Sequence, residues 1–211
     1  MYLFAKGMKS MASSMMHMAV AKSFADQIEN PNLLYLGCVL VDAGGQESHF
    51  RARTEDGRKF YDLNRFRAAY GDRLLTDDFA LGYYMHLIQD MTYRTFVYQE
   101  HGWNPRLTGN VERLYNDYRL LNTHLAEKYD FGSLALPEAI RNHPLLSERA
   151  ESFLVEMQSQ FEPYREGEYF FLTPTMAAEY IGRTAEVCKK ELAALREGRY
   201  AIDPMEYAYG S

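Results

Sequence analysis

Residues 79–93 read FALGYYMHLIQDMTY, an apolar stretch interrupted by one histidine and one aspartate four positions apart. This stretch constrains the fold more than any other part of the chain. A helix that is apolar around its circumference must be packed on all sides by other elements. Positions i and i+4 of a helix share one face, so His86 and Asp90 project together into that packed interior. A buried charge needs a partner. Either the two side chains bond to each other in the core, or they hold a cation. Thr76-Asp77-Asp78 marks the start, a hydroxyl cap followed by acids at the positive end of the helix. The helix is expected from about 77 to 100, with Gly102 beyond it.

Other boundaries are written in the same way. Ser13 and Ser14 cap a helix running toward Ile28. Asn30-Pro31 stops it and opens a nearly all-apolar segment, NLLYLGCVLV. Its composition suits a buried strand or a short buried helix, and the lack of evident partner strands favours the helix. From Gly44-Gly45 to Asp62 the chain is polar and aperiodic, which predicts a loop. Further helices are expected near 62–70, from Thr108 to Tyr129, over 147–160, and from Thr173-Pro174 to before Gly198. The reading is an all-α fold. Residues 1–10 are an N-terminal extension, with Met11 as an alternative start, and 11–211 form a single compact multi-helix domain.

Composition narrows the function. Hydrophobic residues make up 47% of the 211, enough for a core. The formal charge is -6, from 23 basic and 29 acidic residues, with no basic run. That argues against a nucleic-acid groove, which needs clustered cations to neutralise phosphates. The longest apolar run, 33–41, is far short of the ~20 residues a membrane span needs. A cytoplasmic protein is the expectation, with Cys38 and Cys188 as buried reduced thiols. The patterns of zincin proteases, α/β-hydrolases and P-loop ATPases are missing. So is the adjacent His-Asp pair of an HD-type phosphohydrolase.

Two further elements carry ligand chemistry. Asp42 and His49 stand seven apart in the glycine-bearing loop, where a flexible chain can fold both onto one ion. Taken alone they also suit a turn and a surface ring. His17 lies among methionines on the first helix, and alone it suits a satisfied core residue. Together, three histidines and two carboxylates bordered by apolar residues are the donor set of a zinc-class site.

Their order has a recognisable form. An early helical histidine is followed by LGCVLVDAG, then SHF, then GYYMHLIQD. Over residues 11–125 this resembles the zinc-dependent phospholipase C family, within the phospholipase C and P1 nuclease superfamily, whose segments read His-x-x-x-A, LGxxxPD, His-Phe and HxxxD. The resemblance implies that fold. It implies one zinc on Asp42, His49, His86 and Asp90, and a second on His17 and Asp90, with Asp90 bridging. One or two zinc ions are expected, with manganese or iron as alternatives. The implied activity is hydrolysis of a small phosphorylated substrate by a metal-activated hydroxide, with Asp42 as proton acceptor.

The sequence departs from the family at several points. Val41 replaces the proline before the aspartate, and the 42–49 loop is short. The family's N-terminal tryptophan ligand cannot exist where residues precede His17. A third metal would need a histidine near Phe96 and a later HxxxE; His124 is followed by Glu127, one residue too early. Asp117 is the best substitute carboxylate. Arg94, one turn beyond Asp90, is a candidate contact for a substrate phosphate. His101, His124 and His143 suit surface or capping roles. The competing expectation is a non-catalytic helical protein with a structural metal site.

Overall fold

The computed structural model describes residues 12–210. The expected extension, 1–10, and the alternative start at Met11 lie outside them. Among the described residues the chain is mostly helical, with seven α-helices and one two-stranded sheet. The first helix, α1 (Ser14–Lys22), begins where the Ser13 hydroxyl accepts the Met16 amide. It ends earlier than expected. The Ser23 hydroxyl donates to the Val20 carbonyl, and the chain passes into a short 3-10 turn at Ala25–Gln27. All but one residue of α1 are buried.

The apolar segment that suited strand or helix is helix α2 (Pro31–Leu40), with Asn30 capping the Leu33 amide and Pro31 at its first position. The polar stretch after Gly45 is more structured than the loop expected of it. An antiparallel hairpin, β1 (Arg51–Arg53) and β2 (Lys59–Tyr61), sets Arg51 opposite Tyr61. Three-residue strands are too short to show an alternating pattern, and the turn closes through Gly57 at φ 84°. Helix α3 (Leu63–Tyr70) follows.

Helix α4 (Asp78–Tyr93) is capped by Asp77, which accepts the Phe79 and Ala80 amides. Beyond Tyr93 the chain does not continue as the α-helix expected to residue 100. It widens into a π-helical segment over Arg94–Glu100. Helices α5 (Asn110–Tyr129), α6 (Ala150–Gln158) and α7 (Pro174–Arg196) complete the set. α1 packs against α2, α4, α5 and α7 and so runs through the middle of the molecule.

The most intimate packing is between α2 and α4. A Cβ on Gly37 would lie 2.2 Å from the Phe79 carbonyl oxygen, and one on Gly82 would lie 2.2 Å from that of Leu34. The two helices therefore cross with their backbones in contact. Both Asp42, just past the end of α2, and the His86–Asp90 face of α4 hang on this crossing.

The tail after Gly198 folds back onto the body. Glu191 of α7, fully buried, accepts the Ala201 and Ile202 amides, the Tyr84 hydroxyl and the Arg67 guanidinium. Tyr209 then pairs with Lys59 at the edge of β2. No helix of the described residues is long and apolar enough to cross a membrane.

Candidate metal centre

Four segments bring the ligand candidates together. His17 comes from the middle of α1. Asp42 and His49 come from two short 3-10 turns, Asp42–Gly44 and Glu47–His49. His86 and Asp90 come from one face of α4. His17, Asp42 and His86 form one group able to hold an ion, and His49, His86 and Asp90 another.

Each histidine is held by its Nδ1. That of His17 lies 2.7 Å from the Gln89 Oε1, that of His49 lies 2.6 Å from the Gly45 carbonyl, and that of His86 lies 2.6 Å from the Cys38 carbonyl. All three partners are acceptors, so each Nδ1 carries the proton. In the neutral rings every Nε2 then presents a lone pair, and the outer hydrogen bonds fix tautomer and ring orientation as they do for metal-binding histidines.

These Nε2 atoms converge. His49 Nε2 lies 3.2 Å from Asp42 Oδ1, 3.4 Å from His86 Nε2 and 3.5 Å from Asp90 Oδ2. His86 Nε2 lies 3.6 Å from Asp90 Oδ2 and 4.0 Å from Asp42 Oδ1. With ligand bonds of about 2.0–2.2 Å, the donor atoms of a tetrahedral zinc stand about 3.3–3.6 Å apart. The spacings among His49, His86 and Asp90 match that figure, and Asp42 stands 3.2 Å from His49 and 4.0 Å from His86. On the other side of Asp90, His17 Nε2 and Asp90 Oδ1 face each other at 3.7 Å. Both atoms are buried and neither has a hydrogen-bond partner. Two electron-rich atoms left unsatisfied in the interior are costly, and a shared cation satisfies both.

The electrostatics agree with this arrangement. Burial, then the proximity of His86, pushes His17 down to about 4, so its ring is neutral at ordinary pH. Burial alone would lower His86 as well, but Asp90 and Asp42 outweigh it and raise the ring above its usual value. For Asp42 and Asp90 burial works toward the neutral acid. His86 and the other histidines prevail, holding both carboxyls below the normal range. Asp42 is the opening to solvent: its side chain is 15% exposed and that of His49 6%, against none for His17, His86 and Asp90.

The other candidates lie elsewhere or at the margin. Asp117 is buried on α5, but its carboxylate accepts the amides of Phe170, Phe171 and Leu172 at 2.7, 2.8 and 2.9 Å. It anchors the strap before α7 and belongs to neither ion-holding group. Arg94 opens the π-helical segment, with its guanidinium 3.9 Å from the Tyr209 ring and 4.7 Å from that of Tyr98. His101 and His124 are exposed. His143 bonds to Asp77, the cap of α4, at 2.8 Å. Cys38 and Cys188 are free, buried thiols.

Sequence reasoning missed Gln89, Tyr61 and Arg51. Gln89 sits on α4 between His86 and Asp90 and orients His17. Tyr61 donates to Asp90 Oδ2 at 3.2 Å, and Arg51 donates to the Tyr61 hydroxyl at 3.3 Å. The GYYMHLIQD spacing contained a signal for Gln89, one turn from His86. Nothing in the polar stretch distinguished Tyr61.

Two surface cavities, of about 160 and 200 Å³, lie away from the centre. One is beside Tyr180 and Arg183, and the other is near Leu75 and Arg196. The chain matches no family model, no curated protein and no solved structure.

Proposed function

We propose that this chain is a metal-dependent phosphoric ester hydrolase of the phospholipase C type, holding one or two zinc-class ions. The observation that carries the reading is the pair His17 Nε2 and Asp90 Oδ1, buried, unpartnered and facing each other. The resemblance assigns one ion to Asp42, His49, His86 and Asp90, and the spacing of His49, His86 and Asp90 supports a site there. His17 exceeds that need, and a second cation beside Asp90 is the arrangement that uses it.

With the three histidines neutral, as ligation of a metal requires, they and the two carboxylates carry a charge of minus two. One divalent ion neutralises them, and a second leaves a positive centre that attracts a phosphate anion. Such ions lower the pKa of water toward ~7 and offset charge on a phosphoryl transition state. Asp90 would bridge the ions. Asp42, the carboxylate open to solvent, would receive the proton of the attacking water. Manganese or iron fits the same nitrogen and oxygen donors.

A second reading has its own support. Three of the five side chains are fully buried, and neither cavity adjoins the centre. A closed site of that kind suits a structural ion. Elemental analysis of the purified protein, paired with hydrolysis of a nitrophenyl phosphodiester in added zinc or manganese, separates the two. The hydrolase reading expects up to two ions per chain and weak metal-dependent turnover. In His17→Ala it expects one ion retained and most activity lost. A metal-loaded protein inert toward phosphomonoesters, phosphodiesters and phospholipids would leave the structural reading standing.

A further inference from the structure

His49 and Arg51 leave the same turn on either side of Phe50, which adopts the left-handed conformation at φ 50°, ψ 35°. That conformation is costly for a residue with a Cβ, and such strain persists where surrounding structure imposes it. Its effect is to start the hairpin immediately after a ligand, so that Arg51 lies against Tyr61 across the strand pair. The guanidinium Nη2 donates to the Tyr61 hydroxyl, which donates to Asp90 Oδ2. These two bonds in series keep Nη2 within about 6.5 Å of the carboxylate that faces all three histidines.

Arg51 is only partly satisfied. Its Nε is buried without a hydrogen-bond partner. Among the described residues, no carboxylate lies within ion-pair distance of the guanidinium. The side chain is half-buried, with its Cζ 5.4 Å from the Tyr61 ring. A half-buried cation with a spare donor calls for an anion, and the planar fork of arginine suits the oxygens of phosphate. Its position, two hydrogen bonds from Asp90, sets it beside the centre.

We propose that Arg51 is an anion-binding residue of this site, taking the non-bridging oxygens of a phosphoryl group. The proposal rests on the phosphoesterase reading for the kind of anion, and on the geometry of Arg51 for the residue. The same contact serves a phosphodiester before cleavage and the phosphomonoester left after it, whose dianionic phosphoryl group inorganic phosphate reproduces.

The test titrates the zinc-loaded full chain with inorganic phosphate and, separately, with dimethyl phosphate, by calorimetry. Arg51→Gln should weaken phosphate binding tenfold or more while zinc content stays at the wild-type level. Loss for both probes marks a site for ester and product alike; loss for phosphate alone marks a product site. Tyr61→Phe, which cuts the link to Asp90 but leaves the guanidinium, should change affinity less than threefold. If Tyr61→Phe loses as much as Arg51→Gln, Arg51 acts only by positioning Asp90 and the proposal is overturned. In the wild type, phosphate should slow phenylglyoxal modification of Arg51 as read by mass spectrometry. An unchanged rate overturns the proposal whether or not the variants fold. The two readings fail separately. Turnover of the nitrophenyl ester with unaltered phosphate affinity in Arg51→Gln removes the Arg51 role and keeps the hydrolase. Arg51-dependent phosphate binding in a protein inert to every ester does the reverse.

Discussion

Burial and the neighbouring His86 hold His17 near 4, against 6.5 for an ordinary histidine. In metal-free protein the native state therefore declines a proton that the unfolded chain accepts. The stability contributed by this neutral ring is complete above pH 6.5 and is lost as the pH falls toward 4, by about 3 kcal/mol over the window. Urea denaturation in chelator at pH 7 and pH 4.5 should show His17→Asn losing less stability over that interval than wild type. Equal losses would show that the ring titrates normally. The neighbouring position behaves differently. His86 donates to the Cys38 carbonyl and faces both carboxylates. His86→Ala should strip most of the bound metal. It should also cost the metal-free protein about 3–5 kcal/mol, because two buried carboxylates lose the group that compensates them. Wild-type metal content in that variant would remove α4 as the scaffold of the site.

At the scale of elements, the crossing of α2 and α4 sets the spacing of Asp42 from the His86–Asp90 face. Neither Gly37 nor Gly82 can accept a Cβ without moving backbone, since each would meet a carbonyl oxygen of the other helix. Gly82→Ala should therefore cost about 3 kcal/mol or more, the upper range for overpacking a rigid contact. It should also weaken zinc binding, because α4 would move away from Asp42. A stable variant with intact zinc affinity would show that the centre tolerates a wider crossing. α5 gives the contrasting case. Asp117 holds the 170–172 strap by three backbone amides. Asp117→Ala should destabilise the fold by about 2–4 kcal/mol through the orphaned amides, with metal content unchanged. A drop in bound metal in folded Asp117→Ala would instead make it a ligand.

For the whole molecule, the candidate centre joins α1, α4 and the turns after α2, so an ion held there would tie together elements far apart in sequence. Zinc at a thousand times its dissociation constant should add about 4 kcal/mol, or about 10 °C in Tm for a chain of this size. Chelator should reverse the gain. Thermal melts that do not respond to zinc or chelator would count against an ion that spans these elements.

The cluster of candidate donors was legible in the sequence because its chemistry is of few kinds and its setting is largely apolar. His86 and Asp90 announce themselves by a four-residue spacing inside a helix that must be buried. Asp42, His49 and His17 follow as the remaining donors with apolar neighbours. Helix boundaries were legible where a cap or proline writes them, as at Ser13, Asn30, Asp77 and Thr173. What escaped was set by contacts between distant segments. Asp117 looks like any ligand carboxylate until the 170–172 amides are seen to occupy it. The hairpin leaves no period in three-residue strands, so Arg51 and Tyr61 gave no sign of reaching Asp90. The π-helical widening after Tyr93 has no local breaker to mark it. Local sequence determines which groups are available and which faces are apolar. Only the packed chain decides which donor meets which acceptor, because each buried polar atom is satisfied by whatever the tertiary fold brings within about 3 Å of it.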